Sequence, residues 1–181
     1  MQRQVLRTLL DNYAVRFPAE ADCIQRFRQF VDEHPDCFQR GLLSGHVTGS
    51  AWLLNRAGSH VLLTHHRKLN LWVQLGGHAD GEADTLQVAL NEAREESGIE
   101  RLSILSRQIF DLDIHPIPAH GAEPAHFHYD VRFALQTIES DDFTLSPESK
   151  ALEWVEIARL AEKTTEPSLL RMADKWLTTH N

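Results

Sequence analysis

The chain has 181 residues, 42% hydrophobic and 24% charged, with a formal net charge of -8 and two cysteines, Cys23 and Cys37. That length suits a single domain with a helical extension, and no second catalytic domain is expected. The acidic balance, with 18 scattered Lys and Arg, excludes a general nucleic-acid binder, and two cysteines without a CxxC exclude both a disulfide framework and a cysteine zinc site.

The N-terminal stretch MQRQVLRTLLDNYAVRF mixes charged and apolar residues, unlike a signal peptide, and nothing later approaches the apolar run of a membrane helix. A cytoplasmic protein is expected. Residues 5 to 34 read as two helices: Val5, Leu6, Leu9, Leu10 and Tyr13 form one apolar stripe, Pro18 opens a new element, and Ile24, Phe27, Phe30 and Val31 form a second. Residues 1–44 are therefore expected to be a helical N-terminal extension packed on a core domain, residues 45–181.

From His46 the period changes to that of strands. Val47, Ala51 and Leu53 alternate with Thr48, Ser50 and Trp52, NRAGS supplies turn residues, and VLLT follows, which together predict a hairpin. LWVQL predicts a further strand that ends in a sharp turn at Gly76 and Gly77. A helix then opens at Asp84, with Gln87 completing a capping box, buries Leu86, Ala89, Leu90 and Ala93, and stops at Gly98 and Ile99.

A strand is expected from Leu102 to Ile114, and HPIPAHGAEPA (115–125) reads as a proline-containing loop. HFHYDVRFAL (126–135) alternates cleanly, with Phe127, Tyr129, Val131, Phe133 and Leu135 on one face and His126, His128, Asp130 and Arg132 on the other. An acidic loop, a short strand at Leu152 to Val155 and an amphipathic helix, SLLRMADKWL, complete the chain. Hairpins mixed with crossovers predict an α/β sandwich with a mixed β-sheet.

Glu92, Glu95 and Glu96 fall within a sector of about 100° on the predicted helix, beside its buried stripe. Like charges at these spacings repel by roughly 0.2–0.5 kcal/mol per pair, and no lysine follows on that face. A solvated acidic face is one reading. The other is a hard cation, since carboxylate oxygens select Mg²⁺ or Mn²⁺ and leave coordination positions for water and phosphate.

The frame around the glutamates favours the cation. The 23 residues from Gly77 to Ile99 resemble the signature of the Nudix hydrolases, G-x5-E-x7-R-E-U-x-E-E-x-G-U with U aliphatic. Gly77, Glu92, Glu95, Glu96, Gly98 and Ile99 match, and Ala93 is a small substitute at the first U. LLTHHRKLNLWVQLGGHADGEAD, DIHPIPA, AHFHYDVRF and LEWV extend the resemblance over roughly residues 45 to 158.

The resemblance implies a Nudix-type α/β/α sandwich and a metal-dependent pyrophosphohydrolase that cleaves the diphosphate bridge of a nucleoside diphosphate linked to another group. It implies Glu92, Glu95 and Glu96 as ligands of Mg²⁺ (or Mn²⁺), with Glu92 and Glu95 also acting on the attacking water. Glu148, on a loop outside the signature, is the candidate for an additional catalytic carboxylate, and Glu153 is a weaker one. Gly77, His78, His126, His128 and Arg132 are the substrate-binding candidates, Arg132 on a phosphate. A metal shared by His126 and His128 would need a third ligand such as His115. The partner expected is a small nucleotide derivative, with a homodimer as a further contributor to substrate choice, and neither nucleic acid nor membrane.

Two positions depart from the signature. Its first glutamate falls on Ala83 and its arginine on Asn91, so a pair that ties loop to helix in the family is missing as a unit. Glu82 and Asp84 flank the empty position and are the candidates to replace it. A catalytically weak Nudix-fold nucleotide sensor is the alternative function that these departures favour.

Overall fold

The computed structural model describes residues 2–67, 70–121, 124–146 and 149–179. Its elements run α1 (Gln2–Arg16), α2 (Ala21–Glu33), β1 (Gly45–Leu54), β2 (His60–His66), β3 (Trp72–His78), α3 (Thr85–Ser97), β4 (Leu102–Ile104), β5 (Asp111–Ile117), β6 (His126–Thr137), β7 (Ser149–Glu156) and α4 (Pro167–Thr179). The strands form one seven-stranded sheet in the order β4-β6-β1-β3-β2-β7, with β5 also on β6. β1 and β6 are parallel and the remaining pairs antiparallel, so the sheet is mixed, as expected.

β1 is buried along its whole length. The alternation expected of a half-exposed strand is overridden because helices cover both faces of the sheet at its centre. Val47, Ala51 and Leu53 join α1, α2 and α3 in one core, which holds Leu6, Leu10, Phe27, Val31, Ala89 and Ala93. Trp52 and Leu54 meet α4 on the other face, through Leu169, Met172, Ala173 and Trp176. Those four recur at the spacing of one helix face.

The N-terminal helices therefore share the main core. Phe30 stacks on Tyr129 of β6 with ring centroids 3.7 Å apart. Val5, one residue off the buried face of α1, is 58% exposed and is not a core residue.

Three element boundaries differ from the sequence reading. β3 continues through Gly76 and Gly77 to His78, and the turn comes after it. The strand expected over Leu102 to Ile114 is two strands, β4 and β5, each paired with a different part of β6. β5 also extends into the predicted loop and includes Pro116. Proline is tolerated there because, among the described residues, β5 pairs only with β6, leaving its other edge without a ladder that needs an N–H.

A buried ionic cluster locks β5, β6 and α4 together. Arg132 is 2% exposed and contacts Asp130 at 2.7 Å, Asp111 at 3.1 Å and Asp113 at 3.4 Å. From α4, Arg171 reaches Asp111 at 2.8 Å and Lys175 reaches Asp111 at 2.6 Å and Glu20 at 2.6 Å. Burial alone would raise the Asp111 pKa, but the hydrogen bond from Arg171 and the charges of Arg132 and Lys175 outweigh it, so the carboxyl stays below its ordinary value of 3.8.

Asp111→Asn should therefore cost about 3–5 kcal/mol near pH 7, the range for removing one partner of a buried ion pair, measured by urea denaturation. A lowered folded-state pKa gives a contribution that is complete above the unfolded value and is lost as pH falls through the folded one. The stability gap between wild type and variant should stay constant from about pH 7 to about pH 5 and close below pH 3.8.

Candidate active site

α3 is set on the sheet by two glycines. Gly49 of β1 pairs with Gly77 of β3, and both lie under the helix. A Cβ at Gly49 would come within 2.8 Å of the Thr85 carbonyl and the Val88 side chain. A Cβ at Gly77 would lie within 2.7 Å of all three atoms of the Glu92 carboxylate. Gly77 thus forms the cradle that seats Glu92.

The three signature glutamates occupy graded environments. Glu92 is half-buried, Glu95 exposed, and Glu96 buried at 7% exposure. Three carboxylates on one helix face, running from sheet contact to solvent, form a hard-donor set that suits Mg²⁺ or Mn²⁺. The seat without side chain at Gly77 keeps the Glu92 oxygens at the sheet surface instead of letting them splay.

Both helix ends are built as the sequence predicts, with one exception. The Asp84 side chain accepts from the Leu86 and Gln87 amides at 3.2 and 3.3 Å. Gln87 donates to Asn91 at 2.8 Å in place of the backward half of a capping box. Gly98 takes φ 71°, the left-handed stop.

The loop 79–84 is held from outside the signature. Glu82 accepts from the Asp84 amide at 2.8 Å and Asp84 caps α3, so both flanking carboxylates serve local turns. The segment leaving the N-terminal helices does the anchoring: Arg40 donates to both Asp80 oxygens through Nε and Nη2, and the Gly81 amide donates to the Phe38 carbonyl at 2.9 Å. Asp80 and Gly81 both have positive φ, 47° and 92°, a shape that such an external grip stabilises.

The remaining candidates separate by face of the sheet. His78 follows Gly77, so its ring lies on the side away from α3, 5.0 Å from the His46 ring and 5.1 Å from the His128 ring. His126 and His128 are on that same side, with ring nitrogens 3.3 Å apart. Burial, then the neighbouring histidines, pushes the His128 imidazole down to about 2, so it is neutral in neutral solution. The sheet stands between these histidines and the glutamates.

Arg132 is corrected as a phosphate contact: its guanidinium is enclosed by Asp130, Asp111 and Asp113. The alternation of β6 shows polarity, and the charges that neutralise Arg132 come from a strand boundary that the sequence reading placed differently. Glu148 lies outside the described residues. Glu153 is paired with Lys163 at 2.6 Å. Trp52 is buried against α4, and Trp72 stacks on His65 with centroids 5.2 Å apart. Among the described residues, the group the sequence reading missed is His46, which comes into register with His128 only through the parallel β1–β6 pairing.

The NUDIX domain model matches residues 45–176. The chain belongs to the Nudix family. Its fold is similar to that of a C. elegans Ap4A hydrolase binary complex, with a TM-score of 0.53 and 20% identity over 74% of this chain and 96% of that one. It is also similar to a MutT protein from Methanosarcina mazei (TM-score 0.55, 17% identity, 77% of this chain and 98% of that one). The NUDIX domain of Shewanella oneidensis NrtR, solved with ADP ribose, gives a TM-score of 0.51 at 12% identity, covering 85% of this chain and 98% of that one. Among curated proteins, none matches the sequence. No helix among the described residues is long and apolar enough to cross a membrane.

Two substitutions test how the Nudix helix and loop are held. Gly49→Ala meets backbone that cannot move aside and should cost about 1–3 kcal/mol of stability by chemical denaturation. Arg40→Gln removes an exposed pair and should change global stability by less than about 1 kcal/mol. Amide exchange in residues 79–84 should nevertheless accelerate in that variant.

Proposed function

We propose that this Nudix protein is a metal-dependent pyrophosphohydrolase that cleaves the diphosphate bridge of a nucleoside diphosphate linked to a second group. The observation that carries the reading is the Glu92 carboxylate seated against Gly77, on the same helix face as Glu95 and Glu96. Glu92, Glu95 and Glu96 would hold Mg²⁺ or Mn²⁺, which supplies charge neutralisation of the diphosphate and a lowered pKa for water.

In this reading the chain's own residues divide the work. Glu96, buried, anchors the donor set. Glu92, fixed by the glycine cradle, orients the attacking water. Glu95, exposed, takes up its proton on a carboxylate oxygen. Water adds to one phosphorus, the bridging P–O bond breaks, and two phosphate monoesters leave. The acidic surface repels the substrate's own charge until that charge is neutralised, which fits a dependence on divalent cation. A cytoplasmic setting, where such nucleotides occur, suits this reading.

A second reading is a sensor that binds a nucleotide derivative without cleaving it. Ala83 and Asn91 favour it, and the NrtR domain solved with ADP ribose is a fold neighbour. The anchoring of loop 79–84 by Arg40 and Phe38 weighs against it, because the loop is held despite the missing pair.

A panel of nucleoside diphosphate derivatives, including ADP-ribose and dinucleoside polyphosphates, incubated with Mg²⁺ or Mn²⁺ discriminates the two. The hydrolase reading expects turnover that falls about 10²–10⁴-fold in Glu95→Gln. Gly77→Ala should also lose activity while keeping its melting temperature, since its Cβ displaces the end of a side chain and not backbone. Tight binding across the panel with no product in the presence of either metal would leave the sensor reading standing.

A further inference from the structure

Five histidines from four strands gather on the face of the sheet away from the Nudix helix: His46 on β1, His78 at the end of β3, His115 on β5, and His126 and His128 on β6. Strand register brings them together. His128 is the partner of His46 across the parallel pair and of His115 across the antiparallel one, and Thr48 is the partner of both His78 and Asp130. One ring nitrogen each from His46, His78 and His128 lies within 4.8 Å of the others.

One pair in the group already has the spacing of a coordination shell. His126 Nε2 and His128 Nε2 are 3.3 Å apart. Zinc–nitrogen bonds of about 2.0–2.1 Å at tetrahedral angles place ligand nitrogens about 3.3–3.4 Å apart. The nitrogens of His46, His78 and His128, within 4.8 Å of one another, would have to draw closer around a shared ion, and the His78 and His128 rings are only half-buried.

Outer partners already orient two of the rings. His126 Nδ1 is 2.9 Å from the Pro124 carbonyl, which can only accept. Nδ1 therefore carries a proton, and in the neutral ring Nε2 would turn its lone pair toward His128. His115 Nδ1 is likewise 3.0 Å from Asp113 Oδ2. A ring whose second nitrogen is held by a carbonyl or carboxylate is the usual form of a metal-ligating histidine.

We propose that His46, His78 and His128 bind a transition-metal ion of the Zn²⁺ class, with His126 as fourth ligand. The site differs in chemistry from the signature glutamates. Imidazole nitrogens favour Zn²⁺, Co²⁺ or Ni²⁺, whereas the carboxylates of α3 favour Mg²⁺ or Mn²⁺. The bound ion cross-links β1, β3 and β6 where the chain leaves β3 for loop 79–84.

The test uses the full chain, stripped with chelator and titrated with Co²⁺ as a visible probe. Expected is one equivalent with the absorption of four-coordinate nitrogen ligation, displaced by Zn²⁺ but not by excess Mg²⁺, and retained in Glu95→Gln. His78→Ala, at a half-buried position, should weaken binding at least about 100-fold, the upper end of what loss of an outer partner alone costs. Circular dichroism confirms that this variant is folded. X-ray absorption of the Zn²⁺-loaded wild type, which depends on no variant, should show imidazole shells at about 2.0 Å. Absence of Co²⁺ uptake, uptake unchanged in His78→Ala, uptake lost in Glu95→Gln, or oxygen-only ligation would each overturn the proposal. Hydrolysis with Mg²⁺ is measured separately, so failure of either reading leaves the other intact.

Discussion

The buried guanidinium of Arg132 is the point on which the rest of the structure depends. A fully desolvated positive charge in the middle of a sheet is tolerable only if carboxylates surround it, and Asp130, Asp111 and Asp113 do so from β6 and β5. Those carboxylates in turn take charges from α4 through Arg171 and Lys175. Lys175 passes the network on to Tyr13 of α1 and to Glu20, which immediately precedes α2. Asp130 also accepts from Thr48 and Ser50 of β1 and Gln74 of β3. One polar cluster thereby specifies how the sheet, the C-terminal helix and the N-terminal extension sit together, which apolar packing alone would leave less precisely set.

That cluster also explains why the two faces of the sheet carry different chemistry. Thr48 and Ser50 of β1 and Arg132 of β6 gather around Asp130 on the α4 side, so the alternation of β1 sends Gly49, which lies between Thr48 and Ser50, to the other side. Gly49 and Gly77 are in register there, and their missing side chains let α3 descend until the Glu92 carboxylate touches the sheet. Hard oxygen donors collect on one face and imidazoles on the other. Metal preferences follow donor type, so the same sheet presents two donor sets that do not compete.

The N-terminal segment contributes to the candidate site as well as to the core. Its exit segment grips loop 79–84 through Arg40 and the Phe38 carbonyl, at the place where Ala83 and Asn91 leave the signature without its usual charge pair. A bidentate pair supported by a backbone hydrogen bond holds a loop more firmly than either contact alone. The departure from the signature is thus matched by an anchor encoded forty residues earlier in the chain.

Local physics made much of this legible in the sequence. The apolar stripes of α2 and α4, the Asp84 cap, the Gly98 stop and the run of Glu92, Glu95 and Glu96 depend on neighbours within one or two turns, so the order of residues alone determined them. The alternation of β6 likewise determined which of its side chains share a face. Only tertiary structure decided what each face meets. Pairing of β1 with β6 brought His46 to His128, the split of β4 from β5 delivered Asp111 and Asp113 to Arg132, and the two-sided cover of β1 buried Thr48 and Ser50. These outcomes rest on contacts between residues tens of positions apart, where register and desolvation act, and no periodicity within a single segment carries that information.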